Sequence, residues 1–216
     1  MLYNNTVVDH IFEGIIKMRV ILASKSPRRR ELLASLGERL GFSFDIITEE
    51  VDESVEDGIT PLDAVRILAE RKGRAVAQRA DLLDAMVISS DTLVELDGRA
   101  LGKPVDKEDA YSMLSSLSGK GHFVRTGIAV SYLGRVYSDV ASTEVVFRTI
   151  SDREINDYIE SGEPMDKAGA YGIQGGAGKF VSEYRGDFDT VVGLSLKLTE
   201  QLMKRAAVDF GGMILD

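Results

Sequence analysis

Ala23-Ser24-Lys25-Ser26-Pro27-Arg28-Arg29-Arg30 lies between two runs of different period. Before it, Arg19-Val20-Ile21-Leu22 is an apolar β-type run. After it, Glu31 to Gly37 carries Leu32, Leu33 and Leu36 at helical spacing, with Gly37 as the expected stop. The stretch reads as strand, tight loop, helix. Ser26 suits the N-cap, and Pro27 suits the first helical position, where a missing N–H leaves nothing unpaired. The three arginines that follow break a local rule, because the first turn of a helix already presents partial positive charge. An anion at that terminus reverses the sign of the effect, since backbone N–H groups, serine hydroxyls and guanidinium forks are all aimed at it. One arginine there would be a solvated basic turn. Ser-x-Ser-Pro-Arg-Arg-Arg directly after a strand reads as a phosphate site.

Downstream, Phe42 to Ile47 reads as a second strand that runs into an acidic loop, Glu49 to Asp57. That loop is the densest acidic cluster of the chain, either a solvated face or a source of metal ligands. Thr60-Pro61 opens a helix to about Arg79. Lys72 lies on its apolar stripe, seven residues after Val65 and four before Val76. A lysine there either snorkels past the core or projects into a cleft toward an anion, and the arginine cluster favours the second. Ala85 to Ser90 is a β-type run ending in Asp91-Thr92. Leu93 to Leu96 continues it, and Asp97-Gly98 marks a hairpin returning through Arg99-Ala100-Leu101 to Gly102-Lys103-Pro104. Asp91 is thus a carboxylate between apolar strand segments, an expensive placement unless it is paired or holds a metal.

Further elements follow in order. Asp106 to Leu117 is a helix, Phe123 to Val130 and Val136 to Phe147 are strands, and Ser151 to Ile159 is a helix with a capping box at Ser151 and Glu154. The stretch from Gly162 to Gly178 has five glycines between 169 and 178, which break regular structure and let backbone approach a ligand closely. It also carries Tyr171, Ile173 and Gln174, which a mere connector does not need. Lys179 to Tyr184 reads as a strand and Thr190 to about Arg205 as the last helix.

Composition narrows the chemistry. A chain of 216 residues with net charge −9 has no broad basic surface for nucleic acid or acidic membranes, so the arginines suit a small anion. Without cysteine there is no disulfide or thiol chemistry, and the chain suits a reducing, cytoplasmic setting. No apolar run approaches a membrane span. Residues 1–17 read as a short extension, neither secretory signal nor transit peptide, ahead of one domain over 18–216. Two distant histidines, His10 and His122, argue against zinc and Cys–His catalysis. Gly178-Lys179 is followed by Phe180, so the Walker pattern fails, and no Gly-x-Gly-x-x-Gly follows an early strand. What remains is a set of anion binders (Ser24, Ser26, Arg28, Lys72, Lys103) with two carboxylates, Glu53 and Asp91. That set suits phosphate chemistry with a hard cation, Mg²⁺ or Mn²⁺.

Leu22-Ala23-Ser24-Lys25-Ser26-Pro27-Arg28-Arg29, Ser90-Asp91-Thr92, Gly102-Lys103-Pro104-Val105-Asp106, Leu117-Ser118-Gly119 and Glu163 to Gly175 occur here in one order and spacing. The set resembles the Maf family of nucleotide pyrophosphatases, over about residues 19 to 205. The resemblance implies an α/β fold with a long mixed β-sheet flanked by helices, two lobes with a cleft between them, related to that of ITP pyrophosphatases. It implies hydrolysis of a nucleoside triphosphate between the α and β phosphates, a divalent metal cation and a homodimer. By position it makes Asp91 the catalytic carboxylate, as base or metal ligand, and Glu53 the second acid, with Asp52 as its neighbour and fallback. Arg28, Lys72 and Lys103 match phosphate-binding cations, and Arg28, Thr92 and Gln174 match positions for substrate choice. The Gly-Ile-Gln-Gly ending resembles the dTTP/UTP subfamily. The same reaction on a modified purine nucleotide such as 7-methyl-GTP, and a nucleotide-binding regulatory protein with little turnover, are the competing readings. Two departures stand out: Ser90 where Ala is usual, and Leu194-Ser195-Leu196 where Leu-Pro-Leu is usual.

Overall fold

A seven-stranded mixed sheet forms the spine of the computed structural model, which describes residues 18–56 and 58–214. The extension read over residues 1–17 lies outside the described residues. The strands are β1 (Val20–Leu22), β2 (Phe44–Ile46), β3 (Met86–Leu96), β4 (Arg99–Leu101), β5 (Gly121–Tyr132), β6 (Arg135–Phe147) and β7 (Val181–Arg185). Their spatial order is β2-β1-β3-β5-β6-β7, with β4 beside β3. The helices are α1 (Pro27–Leu40), α2 (Pro61–Ala77), α3 (Lys107–Leu117), α4 (Asp152–Glu160), α5 (Phe188–Val192) and α6 (Leu196–Ile214).

β3 is the pivot of the sheet. One of its edges pairs with antiparallel β5 from Val87 to Glu95. The other edge has two partners in turn: parallel β1 along Met86 to Ile88, and antiparallel β4 along Val94 to Leu96. Residues 89 to 93 between them have no strand on that edge, and Asp91 is at the middle of the gap. The carboxyl end of β1 and the amino end of α1 open onto it. Such switch points, where strand order reverses at strand carboxyl ends, are where open α/β sheets take their ligands.

Two apolar cores flank the gap. Leu22, Leu33, Leu36, Ile88, Ile128 and Met203 belong to the first. Val94, Leu114, Leu117, Val124, Phe147 and Phe180 belong to the second. Side chains of this size stabilise by roughly 1.5–3 kcal/mol each when fully buried, so each lobe has its own anchor. β3 contributes Ile88 to one core and Val94 to the other from one face, while Asp91 points from the opposite face, between Val87 and Leu93 of two smaller clusters.

Local rules operate as expected at most element ends. The Ser26 hydroxyl accepts from the Arg29 N–H and Pro27 opens α1. Ser151 and Glu154 form a reciprocal capping box on α4. Asp97 and Gly98 take φ values of 50° and 78° in the β3–β4 hairpin. Three places differ from the sequence reading. α1 does not stop at Gly37 but at Gly41, whose φ is 79°. Gly37 is needed inside the helix because an added Cβ would sit 2.6 Å from the Phe42 carbonyl oxygen. The strand expected from Lys179 begins at Val181, because residues 176–180 form a 3₁₀ turn. The last helix is two helices, α5 and α6, broken at Gly193 with φ 124°. Ser195 restarts it, its hydroxyl accepting from the Leu198 N–H at 3.3 Å. That is a sufficient reason for serine in Leu194-Ser195-Leu196.

Candidate active site

α2 is pressed onto the sheet at Gly127, the register partner of Asp91 on β5. A Cβ at Gly127 would overlap the Val65 carbonyl, so glycine is what allows the approach. Two turns further along α2, Lys72 meets Asp91 at 2.6 Å (Nζ to Oδ1) and Glu53 at 2.7 Å (Nζ to Oε1). Lys72 and Asp91 are mostly buried, with side chains 19% and 14% exposed, while Glu53 is 57% exposed. Arg71 holds the acidic loop in place, donating to the Asp52 carbonyl and, at 2.8 Å, to the Ser54 carbonyl. Asp52 itself caps its own turn through the Ser54 N–H and hydroxyl. Glu53, not Asp52, is therefore the acid turned to Lys72. The Lys72 hydrogen bond holds the Glu53 carboxyl below its usual range; burial opposes this, and the fields of Lys72, Lys103 and Arg29 add to it.

The other face of β3 presents Ser90 and Thr92 to α1 and the α5–α6 junction. Arg29 reaches this face. Its Nη1 donates to the Ser90 carbonyl at 2.8 Å, the oxygen that the sheet gap leaves without a strand partner, and its Nη2 donates to Thr92 Oγ1 at 3.2 Å. Thr126 gives its only hydroxyl proton to the Thr190 carbonyl at 2.7 Å, so Thr92 donates to Thr126 across 3.0 Å. The Thr92 hydroxyl is thereby committed to bracing Arg29. Burial lowers the Arg29 pKa while Asp91 and Glu53 raise it; a guanidinium keeps its charge under such shifts. The Ser90 hydroxyl donates to the Gly193 carbonyl at 3.0 Å, which accounts for serine before Asp91.

Ser24 and Ser26 shape the loop that carries the arginines. Ser24 Oγ accepts from the Ser26 N–H at 3.2 Å, and Ser26 caps α1. Both hydroxyls keep a proton to give. Arg28 lies within the electrostatic reach of Asp166 and Tyr158 on the opposite lobe. Lys103 follows β4, where the Gly169 N–H bonds the Gly102 carbonyl at 2.9 Å. Gln174 is exposed on the turn from Gly172 to Gly175, on the second lobe. The structure thus joins Glu53, Lys72 and Asp91 in direct contact, with Lys103 in the field of Glu53; Arg28 and Gln174 do not touch this trio. The hollow of about 630 Å³ lined by Arg39, Tyr184, Phe188 and Lys197 holds no member of this cluster.

Arg29 is the residue the motif reading left without a role. Its signal was present: Arg29, Leu33 and Leu36 share one face at i, i+4 and i+7, and both leucines are buried. Tyr158 and Glu163, which hold the Gln174 turn, carried no such signal.

Three cations, Lys72, Lys103 and Arg29, around the acids Glu53 and Asp91 at the switch point of an α/β sheet are the arrangement of a protein that binds and acts on phosphate anhydrides. The chain belongs to the Maf family: residues 19–206 match the Maf-like protein family. It is 45% identical over 188 residues to the dTTP/UTP pyrophosphatase of Pelotomaculum thermopropionicum, covering 86% of this chain and 95% of that protein. It is 47% identical over 196 residues to the dTTP/UTP pyrophosphatase of Photorhabdus laumondii, covering 88% and 96%. Among solved structures, the Staphylococcus aureus Ham1 protein aligns over 91% of this chain and 97% of its own at 15% identity and a TM-score of 0.39.

Proposed function

We propose that this chain is a nucleoside triphosphate pyrophosphatase that converts dTTP and UTP to the monophosphate and pyrophosphate, a house-cleaning role. The observation that carries the reading is the Lys72 ammonium shared by Glu53 and Asp91 at the sheet gap. Binding phosphate alone requires no acid pair beside the cations. Kinship with proteins named dTTP/UTP pyrophosphatase supports the choice of pyrimidine substrates.

In this reaction a water oxygen bonds to the α-phosphorus, the bond from that phosphorus to the α–β bridging oxygen breaks, and pyrophosphate leaves. Asp91 accepts the proton of the attacking water. Lys72, Lys103 and Arg28 offset charge on the phosphate oxygens, Ser24 and Ser26 donate to them, and Arg29 with Thr92 keeps β3 in position. Gln174 reads the base edge, its carboxamide matching the O4 acceptor and N3–H donor of uracil or thymine. The donor set fits a hard divalent cation. Glu53 and Asp91 converge with oxygen ligands, and Mg²⁺ is commonly held by one or two carboxylates plus substrate phosphates. Among the described residues no group of three His, Cys, Asp or Glu stands ready as a full cage. When bound, such a cation neutralises phosphate charge and acidifies water. The proposal extends to a homodimer in the cytoplasm, with residues 18–216 as one domain behind the extension. It includes no nucleic acid and no membrane; no described helix is long and apolar enough to cross one.

Pyrophosphate release from a panel of triphosphates, with and without Mg²⁺, tests the reading. The expected result is metal-dependent release fastest from dTTP and UTP. Preference for 7-methyl-GTP would replace the substrate, and binding without turnover would make the chain a nucleotide sensor.

A further inference from the structure

Glu163 occupies the inside of the turn that carries Gln174. Its Oε2 accepts from the Gly176 N–H at 2.9 Å, and its Oε1 accepts from the Tyr158 hydroxyl at 3.1 Å. That hydroxyl in turn accepts from the Gly172 N–H at 3.2 Å. The turn is closed above the carboxylate by the Gly175 N–H on the Gly172 carbonyl at 3.0 Å. A Cβ at Gly175 would overlap Glu163 Oε1, and one at Gly172 would sit 2.9 Å from the Lys167 stem. Lys167 Nζ donates to the Glu163 carbonyl at 3.0 Å, fixing the backbone from which the side chain rises. These glycines thus leave room for an acid under the turn. Tyr158, 3% exposed, packs edge-on to Phe180 in the second core and lies in the field of Arg28. One buried hydroxyl therefore touches the Gln174 turn, the acid beneath it and the field of a phosphate-loop arginine.

We propose that Glu163, acting through Tyr158, is a positioning residue for base selection: it fixes the height and angle at which the Gly172–Gly176 turn offers Gln174 to the nucleotide base. The inference rests on the reading of Gln174 as the base reader. Without the carboxylate, the Gly176 N–H and the Tyr158 hydroxyl lose their fixed partner, the hydroxyl that receives the Gly172 N–H is no longer anchored, and the turn samples other positions over a cleft that still binds phosphate.

The test compares kcat/KM for dTTP and dATP, with Mg²⁺, in the full-length enzyme and in Glu163→Ala, Glu163→Gln, Tyr158→Phe and Gln174→Ala, each checked by melting temperature. Glu163→Ala is expected to reduce the dTTP:dATP ratio about tenfold, the effect of one well-placed hydrogen bond lost from discrimination, through KM for dTTP more than kcat. Tyr158→Phe keeps the ring against Phe180 and is expected to lower the ratio several-fold. Glu163→Gln retains an acceptor for Gly176 and a hydrogen bond to Tyr158, and is expected to stay within about twofold of the parent. If Glu163→Ala does not fold, Tyr158→Phe decides. A drop by one common factor on both nucleotides, with the ratio unchanged, overturns the inference. If Gln174→Ala collapses the ratio while Tyr158→Phe and Glu163→Ala preserve it, Gln174 stands as reader and Glu163 falls. If Gln174→Ala preserves the ratio and Glu163→Ala collapses it, Gln174 falls as reader and the hold of Glu163 on the turn stands.

Discussion

Arg28 and Arg29 are consecutive in the chain and serve different parts of the cleft. Arg29 lies on the buried stripe of α1 and satisfies the Ser90 carbonyl that neither β1 nor β4 reaches. Arg28 lies within the electrostatic reach of Asp166 and Tyr158. The two therefore differ in what their loss does. Arg29→Ala leaves a carbonyl and the Thr92 hydroxyl without a charged donor, and the expected loss is roughly 1.5–3 kcal/mol of stability. Arg28→Ala removes a positive charge from the first turn of α1, which opposes the helix dipole by about 0.3–1 kcal/mol. The unliganded protein is then expected to melt at the same temperature or slightly higher, with weaker nucleotide binding. Thermal melts at low salt separate the two, and a lower melting temperature for Arg28→Ala than for Arg29→Ala contradicts the assignment. At this scale much of the site is legible in the sequence. Asp91, Lys72 and the Ser-x-Ser-Pro-Arg run announce themselves by breaking the rules of their elements: a carboxylate in a strand, a lysine on an apolar stripe, arginines at a helix start. Glu163 breaks no rule in its own element, because its partners are the Tyr158 hydroxyl five residues before it and the Gly176 N–H thirteen residues after it.

At the scale of elements, β5 and the glycine-rich segment are joined by a buried histidine. His122, 2% exposed, bonds the Tyr171 hydroxyl at 2.8 Å from Nε2, and its ring stands edge-on to Phe147 and Tyr171. Its other ring nitrogen, Nδ1, is buried without a side-chain partner. Burial lowers its pKa from 6.5 to about 4. The unfolded chain therefore binds this proton at a higher pH than the folded one. The stability that His122 contributes is full above pH 6.5 and declines as pH falls through the window from 6.5 to about 4, by roughly 3 kcal/mol in total. Melting temperature is expected to fall across that window, and less steeply in His122→Gln. Parallel curves for the two proteins would remove His122 as the cause. In the sequence His122 is legible only as a lone histidine near a strand start, without the cysteine or second histidine that zinc or Cys–His chemistry needs. The break between α5 and α6 was not legible in the same way. Val192-Gly193-Leu194 fits a continuous helical pattern, and only packing shows that a Cβ at Gly193 would lie 3.2 Å from Arg29 Nε.

Among the described residues, two large cores and two smaller apolar clusters lie on one sheet, and the proposed site lies where the neighbour of β3 changes from β1 to β4. Strand types and order along the chain follow from apolar periodicity, but this gap does not. It arises from pairings between residues more than sixty positions apart, Leu22 with Ile88, set against a local hairpin at Asp97-Gly98. The gap is what turns a run of separate motifs into one site, since it lets Lys72, Glu53 and Arg29 reach β3 from both faces. Its proposed product is nucleoside monophosphate and pyrophosphate, which requires attack at the α-phosphorus and a proton acceptor at Asp91. The most direct measurement is product identity from dTTP with Mg²⁺, resolved by chromatography, for the parent protein and for Asp91→Asn. The expected products are dTMP and pyrophosphate, with kcat lowered at least ~100-fold in a folded Asp91→Asn protein. Release of dTDP and inorganic phosphate, or an Asp91→Asn protein that turns over at the parent rate, would contradict the account.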